Sequence, residues 1–317
     1  VKPISLEDIE CARATLRGRI LRTPNVAMRR SDVVLKAESL QHVGAFKLRG
    51  AINVISGLSP QELSCGVVAS SSGNHAQAVA YAAKLFATHA VIVMPRTARQ
   101  YKIDATRAHG AEIVFVESID DAAAVARDLE MARGLVRVAP FDDERVIAAN
   151  ATIALEIIED LPAVDAITVP IGGGGLIAGI AAAVKAAQPS IRVIGVEPEN
   201  SAAASASLRM KQLVTLDRTK SVSSVADGLV INRIGEITWQ YIRTLVDHIV
   251  CVSEAEILTA VRTIAIDGRL TSEPSGAASV AAWLFHRHEL PQASCPVAIV
   301  SGGNTQADVL GESLRGA

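Results

Sequence analysis

The chain has 317 residues, half of them hydrophobic and 20% charged, enough to bury a substantial core in one large domain or two smaller ones. A net charge of −2 gives no general attraction to nucleic acid or an anionic membrane, and 3% aromatic residues argue against a base-stacking surface. The cysteines, Cys11, Cys65, Cys251 and Cys295, form no CxxC pair, so a reduced, cytoplasmic protein is expected, with neither zinc site nor disulfide framework.

The N-terminal stretch "VKPISLEDIECARATL" reads as a capped helix with Ser5 as N-cap, not as a signal peptide. "KLRGAINVISGL", from Lys47, has apolar residues at helical spacing. Ser59-Pro60-Gln61-Glu62 is a capping box with proline at the first helical position. From there short β-rich runs alternate with Ala-rich helical stretches: "VVA" (67–69), "HAVIVMP" (89–95), "AEIVFVE" (111–117), "AITVPI" (166–171), "IRVIGVE" (191–197), "HIVCV" (248–252) and "PVAIV" (296–300). Ser253 to Glu256 is a second capping box. The longest apolar region, 166–187, is broken by four glycines and Lys185, so it is not expected to span a bilayer. Continuous apolar strands separated by helices argue an α/β fold with parallel sheets covered on both faces, in two packed lobes with ligand between them.

Three polar loops follow strands, where open α/β sheets bind ligands. "SSSGNH" (70–75) offers hydroxyls and the free amides of a helix start to an anion such as a carboxylate. "GGGGL" (172–176) lets a phosphate approach backbone amides closely. It also fits G-x-G-x-x-A through Gly173, Gly175 and Ala178, with Glu197 near the expected ribose-binding distance. A nicotinamide-dependent oxidoreductase is therefore the rival reading. "SGGN" (301–304) places Ser301 at the end of the last strand.

Together the pieces resemble the fold-type II pyridoxal-phosphate enzymes (tryptophan synthase β-like), in the branch of serine/threonine dehydratases and serine racemases. "LKAESLQHVGAFKLRGA", "SSSGNHAQAVAYAAK", "VPIGGGGLIAG", "GVEPE", "ADGL", "EPSGA" and "VSGGN" stand in the family's order over almost the whole chain. The resemblance implies a large cofactor-binding domain from residues 1–52 and 144–317 and a small domain from 53–143. It implies pyridoxal 5'-phosphate as cofactor and Lys47 as the lysine that forms its Schiff base, beside Phe46. An apolar setting lowers an amine's pKa and so suits that task. Gly172, Gly173, Gly174, Gly175 and Leu176 match the phosphate cradle, Asn74 the partner of the phenolic oxygen, and Ser301 the partner of the pyridine nitrogen. Ser71, Ser72, Gly73 and His75 match the substrate-carboxylate loop. Ser72 also matches the serine that protonates Cα on the face opposite Lys47 in racemases.

The implied activity is β-elimination from a β-hydroxy L-amino acid of serine, threonine or 3-hydroxyaspartate type, giving a 2-oxo acid and ammonia. Racemisation is the implied side activity or, alternatively, the main one. Ala45, where the family often has serine, leans slightly away from the commonest threonine enzymes of the family. Ala149-Asn150-Ala151-Thr152 departs from the family's Gly-Gln-Gly-Thr. The family's divalent-cation aspartate is replaced by Ala203 near Glu197, so no metal is expected. The expected partner is a small amino acid, in a homodimer or homotetramer that binds neither nucleic acid nor membrane.

Overall fold

The structure, a computed structural model, describes residues 3–217 and 223–315. Its strands are β1 (Asn25–Ala27), β2 (Val34–Lys36), β3 (Val67–Ser70), β4 (Ala90–Pro95), β5 (Glu112–Val116), β6 (Val136–Arg137), β7 (Ala166–Pro170), β8 (Arg192–Pro198), β9 (His248–Val252) and β10 (Pro296–Ile299). Helices α1 (Leu6–Leu16), α2 (Lys47–Ser56), α3 (Pro60–Cys65), α4 (Asn74–Leu85), α5 (Gln100–Ala108) and α6 (Ile119–Arg133) occupy the first half. After them come α7 (Glu144–Asp160), α8 (Gly175–Ala187), α9 (Ala203–Met210), α10 (Glu236–Leu245), α11 (Glu254–Thr263), α12 (Pro274–Phe285) and α13 (Ala307–Arg315).

Two sheets form. One is six-stranded, in the order β1-β2-β10-β7-β8-β9, and is parallel except for the β1–β2 pair. The other is four-stranded, β5-β4-β3-β6, and parallel throughout. The apolar runs read from the sequence are the central strands: β4, β7 and β10 are buried at every residue, as parallel strands covered on both faces must be. β1, β2 and β6 were not anticipated; they have three, three and two residues, too few for a pattern.

All strands of the smaller sheet, with α3 to α6, come from between α2 and α7. The expected boundary between residues 52 and 53 falls inside α2, whereas that between 143 and 144 coincides with the start of α7. Ser5, Ser59 and Ser253 each complete a capping box, at α1, α3 and α11. Among the described residues no helix is long and apolar enough to cross a membrane.

The topology brings strand ends together. β3 ends at Ser70 and feeds α4; β7 ends at Pro170 and feeds α8; β10 runs into Ser301. A bridge between Ala45 and Gly302, with the Phe46 amide donating to the Ser301 carbonyl (3.1 Å), joins the chain before Lys47 to the last loop.

Candidate active site

Lys47 begins α2 and is partly buried, its Nζ donating to the Pro140 carbonyl at 2.5 Å and lying 5.1 Å from the Phe46 ring. Burial lowers its amine to about 8, and no carboxylate counteracts the shift.

The residue after Pro140, Phe141, packs on the glycine loop. A Cβ on Gly173 would lie 2.2 Å from the Phe141 ring, and one on Gly175 would lie 2.8 Å from its carbonyl, so both positions require glycine. The loop's carbonyls are turned outward. Gly173 O accepts from Thr238 Oγ1 (2.8 Å) and Gly235 N (3.2 Å), and Gly175 O accepts from Asn150 Nδ2 (3.1 Å). The amides of 172–177 have no acceptor among the described residues and lie at the positive end of α8. Gly174, at φ +94°, makes the turn that aims them. Leu176 is buried in the core, and its contribution to the loop is its amide.

The "SSSGNH" loop is built differently. Ser71 Oγ accepts from the Gly73 amide (3.1 Å), closing a small turn, whereas the Ser72 hydroxyl has no partner among the described residues. The first intrahelical bond of α4 is Gln77 N to Gly73 O, so the amides of Asn74, His75 and Ala76 are open. The His75 ring is buried and turned away, its Nε2 donating to Val138 O (2.9 Å). Burial and the nearby Lys47 charge lower it to about 3, so it stays neutral and offers the cleft its backbone amide. Ser301 is 4% exposed, and its hydroxyl has no partner among the described residues.

Several residues that the sequence reading missed surround these loops. Asn74 Nδ2 donates to Glu273 (2.5 Å), and Asn74 Oδ1 accepts from Asn304 Nδ2 (2.9 Å). Burial, with repulsion from Asp227, raises the Glu273 carboxyl to about 7. Lys102 Nζ, 3.8 Å from where a Gly73 Cβ would sit, donates to Asp227 at 2.5 Å. Burial opposes the Lys102 charge, but Asp227 overrides it and holds the amine above its ordinary value. Asp142 accepts from the amides of Glu236, Ile237 and Thr238, capping α10 and so placing Thr238 under the glycine loop. "PFDD" and "EPSGA" were visible as strings, but their partners lie up to 199 residues away.

Pyridoxal-phosphate dependent enzymes, as a family, match this chain over residues 16–302. The chain belongs to this family. It is 41% identical to the L-threonine ammonia-lyase of Thermotoga maritima over 97% of this chain and 77% of that protein. It is 39% identical to the catabolic L-threonine dehydratase of Escherichia coli over 95% of this chain and 93% of that one. Maize serine racemase superposes with a TM-score of 0.93 at 35% identity, covering 99% of this chain and 98% of the other. The fold is therefore fold-type II, and the protein is a pyridoxal-phosphate-dependent lyase.

The residues present fit the cofactor. Open amides of 172–177 suit its phosphate, a lysine without an acid partner suits its aldehyde, and the unpaired hydroxyl of Ser301 suits its ring nitrogen. The dinucleotide reading fails. Glu197, which it needed for a ribose, is fully buried, its two oxygens accepting from the Ala204 and Ser205 amides (2.8 Å each) at the start of α9. Burial raises that carboxyl to about 7 against those two bonds. No group of three His, Cys, Asp or Glu that could hold a metal occurs among the described residues.

Proposed function

We propose that this protein is a dehydratase (ammonia-lyase) that converts a β-hydroxy L-amino acid to a 2-oxo acid and ammonia by β-elimination, with L-threonine the first substrate to test. The two curated relatives, named for threonine, outweigh the lean given by Ala45. The observation that carries the reading is a buried lysine amine with no acid partner, donating to the carbonyl of Pro140, whose neighbour Phe141 packs on the glycine loop with its open amides.

Bound pyridoxal phosphate supplies the electron sink for the charge left when the Cα proton departs. Lys47 is the base that takes this proton, and an amine near 8 is partly free to do so at neutral pH. The open amides of Asn74, His75 and Ala76 orient the substrate carboxylate. Ser301, a neutral hydroxyl, would hold the ring nitrogen by a hydrogen bond without adding a full positive charge beside it. Ser72, with its hydroxyl unpaired, is free to deliver a proton to Cα from the face opposite Lys47. That hydroxyl favours a second reading, racemisation as a side or main activity, and the likeness to maize serine racemase agrees with it.

The test is a panel of L-threonine, L-serine and 3-hydroxyaspartate, with 2-oxo acid, ammonia and enantiomers measured together. Equal release of 2-oxo acid and ammonia is expected from at least one L-substrate, and none from Lys47→Ala. Enantiomer interconversion outpacing elimination on every substrate would make the racemase reading the correct one. A homodimer or homotetramer is part of the proposal, to be read by light scattering. So is a cytoplasmic location, which the four free cysteines support.

A further inference from the structure

Asn74 offers the cleft an amide whose two ends have opposite hydrogen-bonding character, so its usefulness depends on which end faces inward. One end is decided by Asn304, whose Nδ2 spends its two hydrogens on Val43 O (2.7 Å) and Asn74 Oδ1 (2.9 Å). A donor there forces the Asn74 oxygen to that side. The other end meets Glu273, whose Oε1 accepts from Asn74 Nδ2 at 2.5 Å. Glu273 is 5% exposed, and a Cβ on Gly302 would lie 2.2 Å from its Oε1 and 3.0 Å from Asn74 Nδ2. The glycine is thus what lets carboxylate and amide meet against the main chain. Gly302 bridges to Ala45, two residues before Lys47, which ties the clamped amide to the segment that carries the lysine.

We propose that Glu273 is a positioning residue which, with Asn304, clamps the Asn74 amide so that its one uncommitted N–H is held toward the phenolic oxygen of the cofactor. The proposal rests on the functional reading above. An ionised and a protonated Glu273 both keep an oxygen that accepts from Asn74, so the clamp works in either state. Asp227, Lys102 and Tyr101 are the titratable groups whose charges act between them and the Glu273 carboxyl.

The experiment compares wild type, Glu273→Leu, Glu273→Gln, Asn74→Ala and the Glu273→Leu/Asn74→Ala double variant. Each is titrated with pyridoxal phosphate, and the visible band of the bound cofactor is recorded. Loss of one oriented hydrogen bond is expected to raise the cofactor Kd about tenfold in Glu273→Leu and in Asn74→Ala. Both should move the visible band alike, and the double variant should be no worse than either single one. Glu273→Gln, which retains an acceptor, should keep the wild-type band. Asn304→Leu, which removes the other half of the clamp, should shift the band like Glu273→Leu even if the latter folds poorly. An unmoved band in both Glu273→Leu and Asn304→Leu, or losses that simply add in the double variant, would overturn the clamp. Failure of the functional reading looks different: wild type itself would show neither visible band nor borohydride-fixed label on Lys47.

Discussion

A lysine amine is a nucleophile only when unprotonated, and Lys47 is brought there by burial alone, at about 8. Below that value the neutral fraction falls tenfold per pH unit. The rate at which apoprotein takes up pyridoxal phosphate should therefore rise about tenfold from pH ~6 to ~7 and level above pH ~8. Stopped-flow absorbance measures it, and a flat profile would mean that the amine is not the group being titrated. On the proposed reading, Ser72 separates two chemistries. Its hydroxyl is uncommitted among the described residues, unlike that of Ser71, which closes the loop turn. Ser72→Ala should suppress enantiomer interconversion by orders of magnitude while sparing more of the elimination from an L-substrate, whose proton that reading assigns to Lys47. Side-by-side assays of both products check this, and equal losses would demote Ser72 to carboxylate positioning.

Among elements, the glycine loop is shaped by helices that the sequence does not place beside it. A Cβ on Gly174 would meet Thr238 Oγ1 at 2.8 Å and Ile242 Cδ1 at 2.9 Å, and its φ is +94°. Gly174→Val should thus weaken cofactor binding by prying the loop from α10, not by standing in the phosphate's path as the loop alone would imply. α7 and α8 meet as closely at Gly179, where a Cβ would lie 2.4 Å from Ile147 O and 2.7 Å from Ala151 N. Gly179→Ala must push the helices apart, and urea unfolding should show a loss of about 1–3 kcal/mol. Wild-type stability would mean that the contact relaxes freely. Strands such as β4 and β7 were legible because burial on both faces leaves one apolar signature. The loops were legible because glycine runs and Ser-Gly-Asn-His are locally unusual. Thr238, Asp142 and Glu273 were not legible. Their work is hydrogen bonding to segments distant in the chain, and a threonine or acid in a helix or loop looks the same whether or not it makes such bonds.

For the molecule as a whole, Lys36, Glu38, Arg49 and Glu156 are the least legible feature and among the most consequential. Each reads as an ordinary surface charge, yet Lys36, Glu38 and Arg49 are fully buried and Glu156 nearly so. Arg49 donates to Glu38 (2.9 and 2.8 Å), to Glu156 (2.6 and 3.0 Å) and to Thr152 (3.0 Å). Lys36 Nζ donates to Glu156 at 2.7 Å, so two cations and two carboxylates close a neutral network. It ties α2, which begins with Lys47, to β2 and to α7 across more than a hundred residues of chain. Burial opposes the charge on Glu38, but Arg49 overrides it and holds this carboxyl below its ordinary value. A depressed carboxyl contributes stability that is present above its unfolded pKa and lost as pH falls through the folded one. Arg49→Met, close in volume and without charge, would leave two buried carboxylates facing one ammonium. The loss expected in urea unfolding near pH 7 is on the order of 3–5 kcal/mol. Acid should narrow this gap, because the variant's stranded carboxylates are relieved by protonation first, whereas wild type gives up the contribution of Glu38 only below the ordinary carboxylate range. From pH ~7 to ~4 the difference between the two proteins should therefore shrink steadily. A difference that holds constant over that range would show that Arg49 stabilises the fold by packing and not by holding the carboxylates.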